Sequence, residues 1–121
     1  MPYQLTINQQ QGYLHLVYTG TIHFDERVEA RDAAFELCRL NGYHRTLVDM
    51  SASNIEMGQA DAVKFAREFE IARLPPNYRL ACIIAPGSQS DKIVELLISL
   101  NGVNIKYFLV KEDAINWLTA R

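Results

Sequence analysis

The chain has too few cysteines and histidines, set too far apart, to build a metal centre or a disulfide framework. Cys38 and Cys82 each fall within an apolar pattern, as buried thiols in a reducing compartment do. His15, His23 and His44 lie on a strand, before a helix and before a strand, with no ligand spacing among them. Positive charge is not clustered either. Twelve Lys and Arg are scattered among fourteen Asp and Glu for a net charge of −2, which argues against a nucleic-acid partner. No apolar run is long enough to span a bilayer, and Met1-Pro2-Tyr3-Gln4-Leu5 lacks the basic and apolar regions of a secretory signal. These absences lead to the expectation of a cytoplasmic protein with no metal, no cofactor, no nucleic acid and no membrane span.

What is present is ordinary globular material, 49% hydrophobic and 21% charged over 121 residues, the size of one domain spanning 1–121. Tyr3, Leu5 and Ile7 alternate with Gln4, Thr6 and Asn8, the period of a strand with one wet face. Gln9-Gln10-Gln11-Gly12 turns into a second strand, Tyr13 to Thr19, paired antiparallel with the first and closed by Gly20. From Phe24 to Leu40 the period lengthens, with Val28, Arg31, Ala34, Phe35 and Cys38 on one face and acids in the first turn. Asn41-Gly42 and, later, Asn101-Gly102 read as left-handed helix caps.

A third strand spans Arg45 to Met50. A second helix covers about Gly58 to Arg73, with Ala62, Val63, Ala66 and Phe69 inward, and Pro75-Pro76-Asn77 forbids its continuation. Leu80 to Ala85, continuously apolar, reads as an interior strand ended by Pro86-Gly87. Ser88-Gln89-Ser90-Asp91 has the spacing of a capping box, and Ile93, Leu96, Leu97 and Leu100 form the expected buried stripe of a third helix, widened by Val94 and Ile98. A strand at Asn104 to Val110 and a helix from Lys111, with Ala114, Trp117 and Leu118 on one face, complete the chain. The expected fold is α/β, ββαβαβαβα, a mostly parallel five-stranded sheet with the first strand antiparallel.

The chemically informative segment is Thr46 to Gly58, where an apolar strand stops on Asp49 and a polar loop precedes the next helix. Ligands and partners meet open α/β sheets beyond the carboxyl ends of their strands. Asp49, Ser51, Ser53, Asn54, Glu56 and Gly58 are therefore the expected partner- or ligand-binding loop, with Asp49 bonding loop amides. No catalytic residue is assigned. His23 beside Asp25 has no nucleophile to serve, Cys82 lies mid-strand, and Gly87-Ser88-Gln89-Ser90 lacks the lysine of a phosphate loop. A receiver-type phosphoacceptor role for Asp49 would need an acidic pair ending the first strand, which ends in Asn8-Gln9.

This order of elements, with Leu47-Val48-Asp49-Met50-Ser51 leading to Gly58 and the terminal Glu112-Asp113-Ala114-Ile115-Asn116-Trp117-Leu118, resembles the SpoIIAA-like branch of the STAS domain superfamily. The resemblance implies a β-α superhelix and a non-enzymatic regulatory module whose third-strand loop contacts protein partners. Asp49 and Ser51 match the Asp-x-Ser that often ends that strand. The serine that anti-sigma factor antagonists phosphorylate at the start of the next helix has no counterpart, since Met57-Gly58-Gln59 stands there. Ser53 and Ser51 are the remaining candidate phosphorylation sites. The partner is expected to be another protein or a second copy in a homodimer. The alternative, from the related CRAL-TRIO domains and the apolar excess of Ile93 to Leu100, is a carrier of a lipid or other apolar small molecule.

Overall fold

Alternating and continuous apolar segments form one five-stranded sheet in the computed structural model, in the spatial order β1-β2-β3-β4-β5. The structure describes residues 2–69, 74–86 and 91–120, with the side chain of Asp91 outside that description. The strands are β1 (Tyr3–Asn8), β2 (Tyr13–His23), β3 (Arg45–Glu56), β4 (Arg79–Ile83) and β5 (Asn104–Phe108). The helices are α1 (Phe24–Asn41), α2 (Gln59–Arg67), α3 (Asp91–Leu100) and α4 (Lys111–Thr119). β1 is antiparallel to β2, and the β2-β3, β3-β4 and β4-β5 pairs are parallel, as expected.

The sheet is covered unequally. Leu14, Leu16, Tyr18, Val48, Leu80 and Cys82 face α1, α2 and α3 in the main core. Tyr13, Leu47, Ala81 and Ile83 face the other way, against Ala114 and Leu118 of α4. Both Asn-Gly pairs are helix caps. Gly42 has φ 72° and its N–H donates to Cys38 O, while Gly102 has φ 90° and donates to Ser99 O at 3.0 Å. Asn101 does more than end α3, because its Nδ2 donates to Ala66 O at 3.0 Å and Phe69 O at 3.1 Å and so satisfies carbonyls at the end of α2.

Four expectations need correction. β2 does not close at Gly20 but runs to His23, because Gly20 takes φ 73° within the strand. The expected loop after Met50 is strand to Glu56, paired in parallel with Thr19 to His23. β5 stops at Phe108, leaving Leu109 and Val110 outside it and exposed. The inward face of α3 carries Val94 and Ile98, each 1% exposed, while Ile93 (46%), Leu96 (58%) and Leu100 (73%) face outward. On α2, Phe65 is buried in addition to the expected Ala66 and Phe69, with Ala62 and Val63 half-buried. The expected capping box at 88–91, the Gly87 to Ser90 turn and the end of the second helix near Arg73 lie outside the described residues.

Candidate functional site

β3 pairs with β4 only as far as Asp49 opposite Ile83, then continues with β2 alone. The register shifts between Val17 opposite Asp49 and Thr19 opposite Ala52, so β3 carries an extra residue at a bulge. Asp49 organises that bulge. Its Oδ1 accepts hydrogen bonds from Ser51 N at 3.0 Å and from Ser51 Oγ at 2.6 Å, the local carboxylate-to-amide bonding expected of it. Ser53 Oγ donates to Met50 O at 2.8 Å.

Beyond the bulge the two strands form a ribbon. Ser51, Asn54, Glu56 and Gly58 are exposed, and Asp49 and Ser53 are half-buried. At its tip, Glu56 stands opposite His23, with His23 Nδ1 3.8 Å from Glu56 Oε2. His23 also caps α1, since Glu26 Oε1 accepts from His23 N at 3.0 Å. The structure thus brings Asp49 together with Ser51, and Glu56 with His23, but does not converge all six expected site residues on one point. Gly58 is the residue before α2, in extended conformation, and no side chain caps that helix.

On the α4 side of the same strand ends stands a group that the sequence did not single out. His15 of β2 has a buried Nε2 with no hydrogen-bond partner. Burial holds its pKa below the ordinary imidazole value of 6.5, the positive charge of Lys111 at the start of α4 pushes it further down, and Asp49 opposes both. The alternation of Tyr13, His15 and Val17 was visible in the sequence. The approach of Lys111 was not, because it depends on α4, at the far end of the sequence, packing back across β4 and β3.

Inside the main core lies a cleft of about 40 Å³ bordered by Arg27, Arg31, Phe65, Thr46 and Tyr78. That is room for about one water molecule, against the several hundred Å³ usual for a small-molecule site. Both arginines are 4% exposed. Arg31 donates to Phe65 O at 3.2 Å and to Asp32 at 3.1 Å, and the Arg27 guanidinium stacks 4.4 Å from the centre of the Phe65 ring. Cys38 and Cys82 are buried thiols, not a disulfide. No described helix is long and apolar enough to cross a membrane.

A mixed sheet with only its first strand antiparallel, three helices on one face and the last helix on the other, defines a SpoIIAA-like fold. A solved structure similar to this chain is that of an uncharacterised protein of the DUF3478 family from Shewanella loihica PV-4, described as having a SpoIIAA-like fold. The two are 20% identical, with a TM-score of 0.59, over 96% of this chain and 91% of that one. No protein-family model matches the chain, and no curated protein is similar to it.

Proposed function

We propose that the protein is a non-enzymatic STAS-like module that acts through protein contacts, with Asp49, Ser51, Ser53, Asn54, Glu56 and Gly58 as its contact edge. The observation that carries this reading is the ribbon of β2 and β3 that outruns β4. Ser51, Asn54 and Glu56 are exposed on it, and its backbone is held by strand pairing and by the Asp49 carboxylate rather than left loose. A rigid, exposed polar edge is suited to a partner that must be recognised without chemistry.

Phosphorylation at this edge would act by disruption. A phosphate on Ser51 adds about −1.5 to −2 charge beside Asp49 and removes the Ser51 Oγ hydrogen bond to that carboxylate. Ser53 would lose its bond to Met50 O. Either modification would weaken the ribbon where its bulge is pinned.

Photo-crosslinking groups placed at Asn54 and Glu56, with a control group at exposed Asn116 of α4, test the reading in cells. Partner protein joined at the ribbon but not at Asn116, and lost in Asp49→Ala, is the expected result. Equal labelling at all three positions, or native mass spectrometry showing a retained apolar small molecule instead of a protein, would overturn it.

A further inference from the structure

The two edges of the sheet are finished differently. On β5 the Tyr107 N–H is taken by Glu95 Oε2 of α3 at 2.9 Å, and Lys106 adds an exposed charge to the strand. Both devices discourage pairing with another strand. On β1, Tyr3 to Asn8 carries no charge, no proline and no bulge against β2.

The phase of the β1-β2 ladder follows from one hydrogen bond. Thr19 N donates to Pro2 O at 2.9 Å, so Pro2 and Thr19 form a hydrogen-bonded pair. In an antiparallel ladder such pairs alternate with non-hydrogen-bonded ones. Gln4, Thr6 and Asn8 therefore turn their main-chain groups toward β2, and Tyr3, Leu5 and Ile7 turn theirs out of the sheet. No described strand pairs with that outer side of β1.

The geometry points to a homodimer in which β1 pairs antiparallel with β1 of a second copy across a two-fold axis at Leu5. In that register Leu5 lies opposite Leu5 of the partner subunit, Tyr3 opposite Ile7 of the partner subunit, and Gln4 opposite Thr6 of the partner subunit. All three outward-facing residues of each strand then become hydrogen-bonded pairs. The apolar side chains meet one another on the α1 side, where Ile7 is 36% exposed and Tyr3 and Leu5 are half-buried. Gln4 and Thr6 meet on the other. A shift by one residue would set apolar side chains against the wrong face, and a shift by two would leave Tyr3 opposite the hairpin turn. A second copy fits because the strand is its own complement in polarity and itself sets no charge against its two-fold mate, the nearby Glu29 carboxylate being engaged by the Tyr3 hydroxyl at 2.9 Å. The dimer joins two sheets into one of ten strands, within the usual limit for open sheets. It uses a surface separate from the ribbon of β2 and β3, so its failure leaves the contact-edge reading untouched.

Sedimentation equilibrium of the whole chain, in a series reaching the millimolar range that captures weak association, tests this. The expected mass rises from 13.8 kDa toward twice that value. Ile7→Pro removes an N–H that β2 does not use, and should weaken the dimer at least about tenfold while preserving the far-ultraviolet circular dichroism. Ile7→Lys, at an exposed side chain, is the second variant should the proline disturb folding. Leu96→Lys, on the outward face of α3, should leave the dimer intact. Hydrogen exchange of the unaltered chain gives an independent readout: the amides of Tyr3, Leu5 and Ile7 should slow with protein concentration, and those of Gln4, Thr6 and Asn8 should be slow throughout. A mass fixed at one chain across the series, dissociation by Leu96→Lys in place of the Ile7 variants, or exchange at Tyr3, Leu5 and Ile7 that ignores concentration would overturn the proposal.

Discussion

Thr46 is 1% exposed and holds together a polar chain inside the main core. Tyr78 donates its phenol to Thr46 Oγ1 at 2.9 Å, and the Cys38 thiol lies 3.5 Å from the same oxygen. Burial raises the Cys38 thiol above its ordinary pKa and the Tyr78 phenol well above its own, so both stay neutral and depend on hydrogen bonds alone. Replacing Thr46 by Val keeps the shape and strands the phenol, at a cost of about 1–3 kcal/mol in urea unfolding. Adding Tyr78→Phe should recover most of that loss, because the stranded donor goes with it. A double variant as unstable as the sum of its single changes would contradict the network. His15 predicts a pH response. Its folded pKa lies below 6.5, so the unfolded chain binds the proton more readily. Stability should therefore be full above about pH 6.5 and fall as pH drops from there toward the folded pKa. His15→Gln should flatten the decline of Tm across that window, and an unchanged profile would show that other groups cause it.

The correction on α3 has a physical reason at the scale of elements. Six of its ten residues, Ile93, Val94, Leu96, Leu97, Ile98 and Leu100, are large and apolar, with Lys92, Glu95 and Ser99 gathered on the remaining side, so the apolar sector is wider than the face that packs and the period alone does not say which of its edges is buried. What sets the phase lies elsewhere in the chain: Glu95 reaches the β5 edge at Tyr107 N, and Asn101 reaches the end of α2. The ribbon was illegible for a similar reason. Ser51, Ser53 and Asn54 favour turns, and the segment is held as strand by β2 from Thr19 onward, distant in sequence. Elements with a clear local period, such as β1 and α1, and chain reversals with a unique chemistry, such as the two Asn-Gly caps, were readable in advance. The Asp49 bond to the Ser51 amide was readable too, since a short carboxylate reaches its own backbone whatever the wider fold does. The double role of Asn101 leads to a prediction: Asn101→Ala leaves Ala66 O at the end of α2 and Phe69 O just past it without this donor and should lower stability by about 1–2 kcal/mol. Hydrogen exchange should localise the loss to the end of α2, and uniform acceleration over all helices would contradict it.

At the scale of the whole molecule, one sheet supports two cores of unequal size. The main core draws on α1, α2 and α3, whereas the second rests on α4 alone, through buried Ala114 and Leu118 and half-buried Ile115 and Trp117. A helix of nine residues does not persist by itself in water, so α4 exists only while docked. Its docking is reinforced from β4 by Arg79, whose Nη1 donates to Trp117 O at 2.9 Å, and from β5 by the Phe108 ring, 5.8 Å from that of Trp117. None of these contacts reaches the main core, which can therefore keep its packing when α4 leaves. Leu118, fully buried, is the residue whose truncation would expose this division. Leu118→Ala should cost about 2–5 kcal/mol for undocking α4 and leave the larger core much less affected. Trp117 is the chain's single tryptophan, so its fluorescence reports α4 while far-ultraviolet circular dichroism reports the remaining helices. In Leu118→Ala the fluorescence transition in urea should precede the dichroism transition, whereas the two should coincide in the unaltered protein. Coincident transitions in the variant would mean that the two faces of the sheet unfold as one cooperative unit.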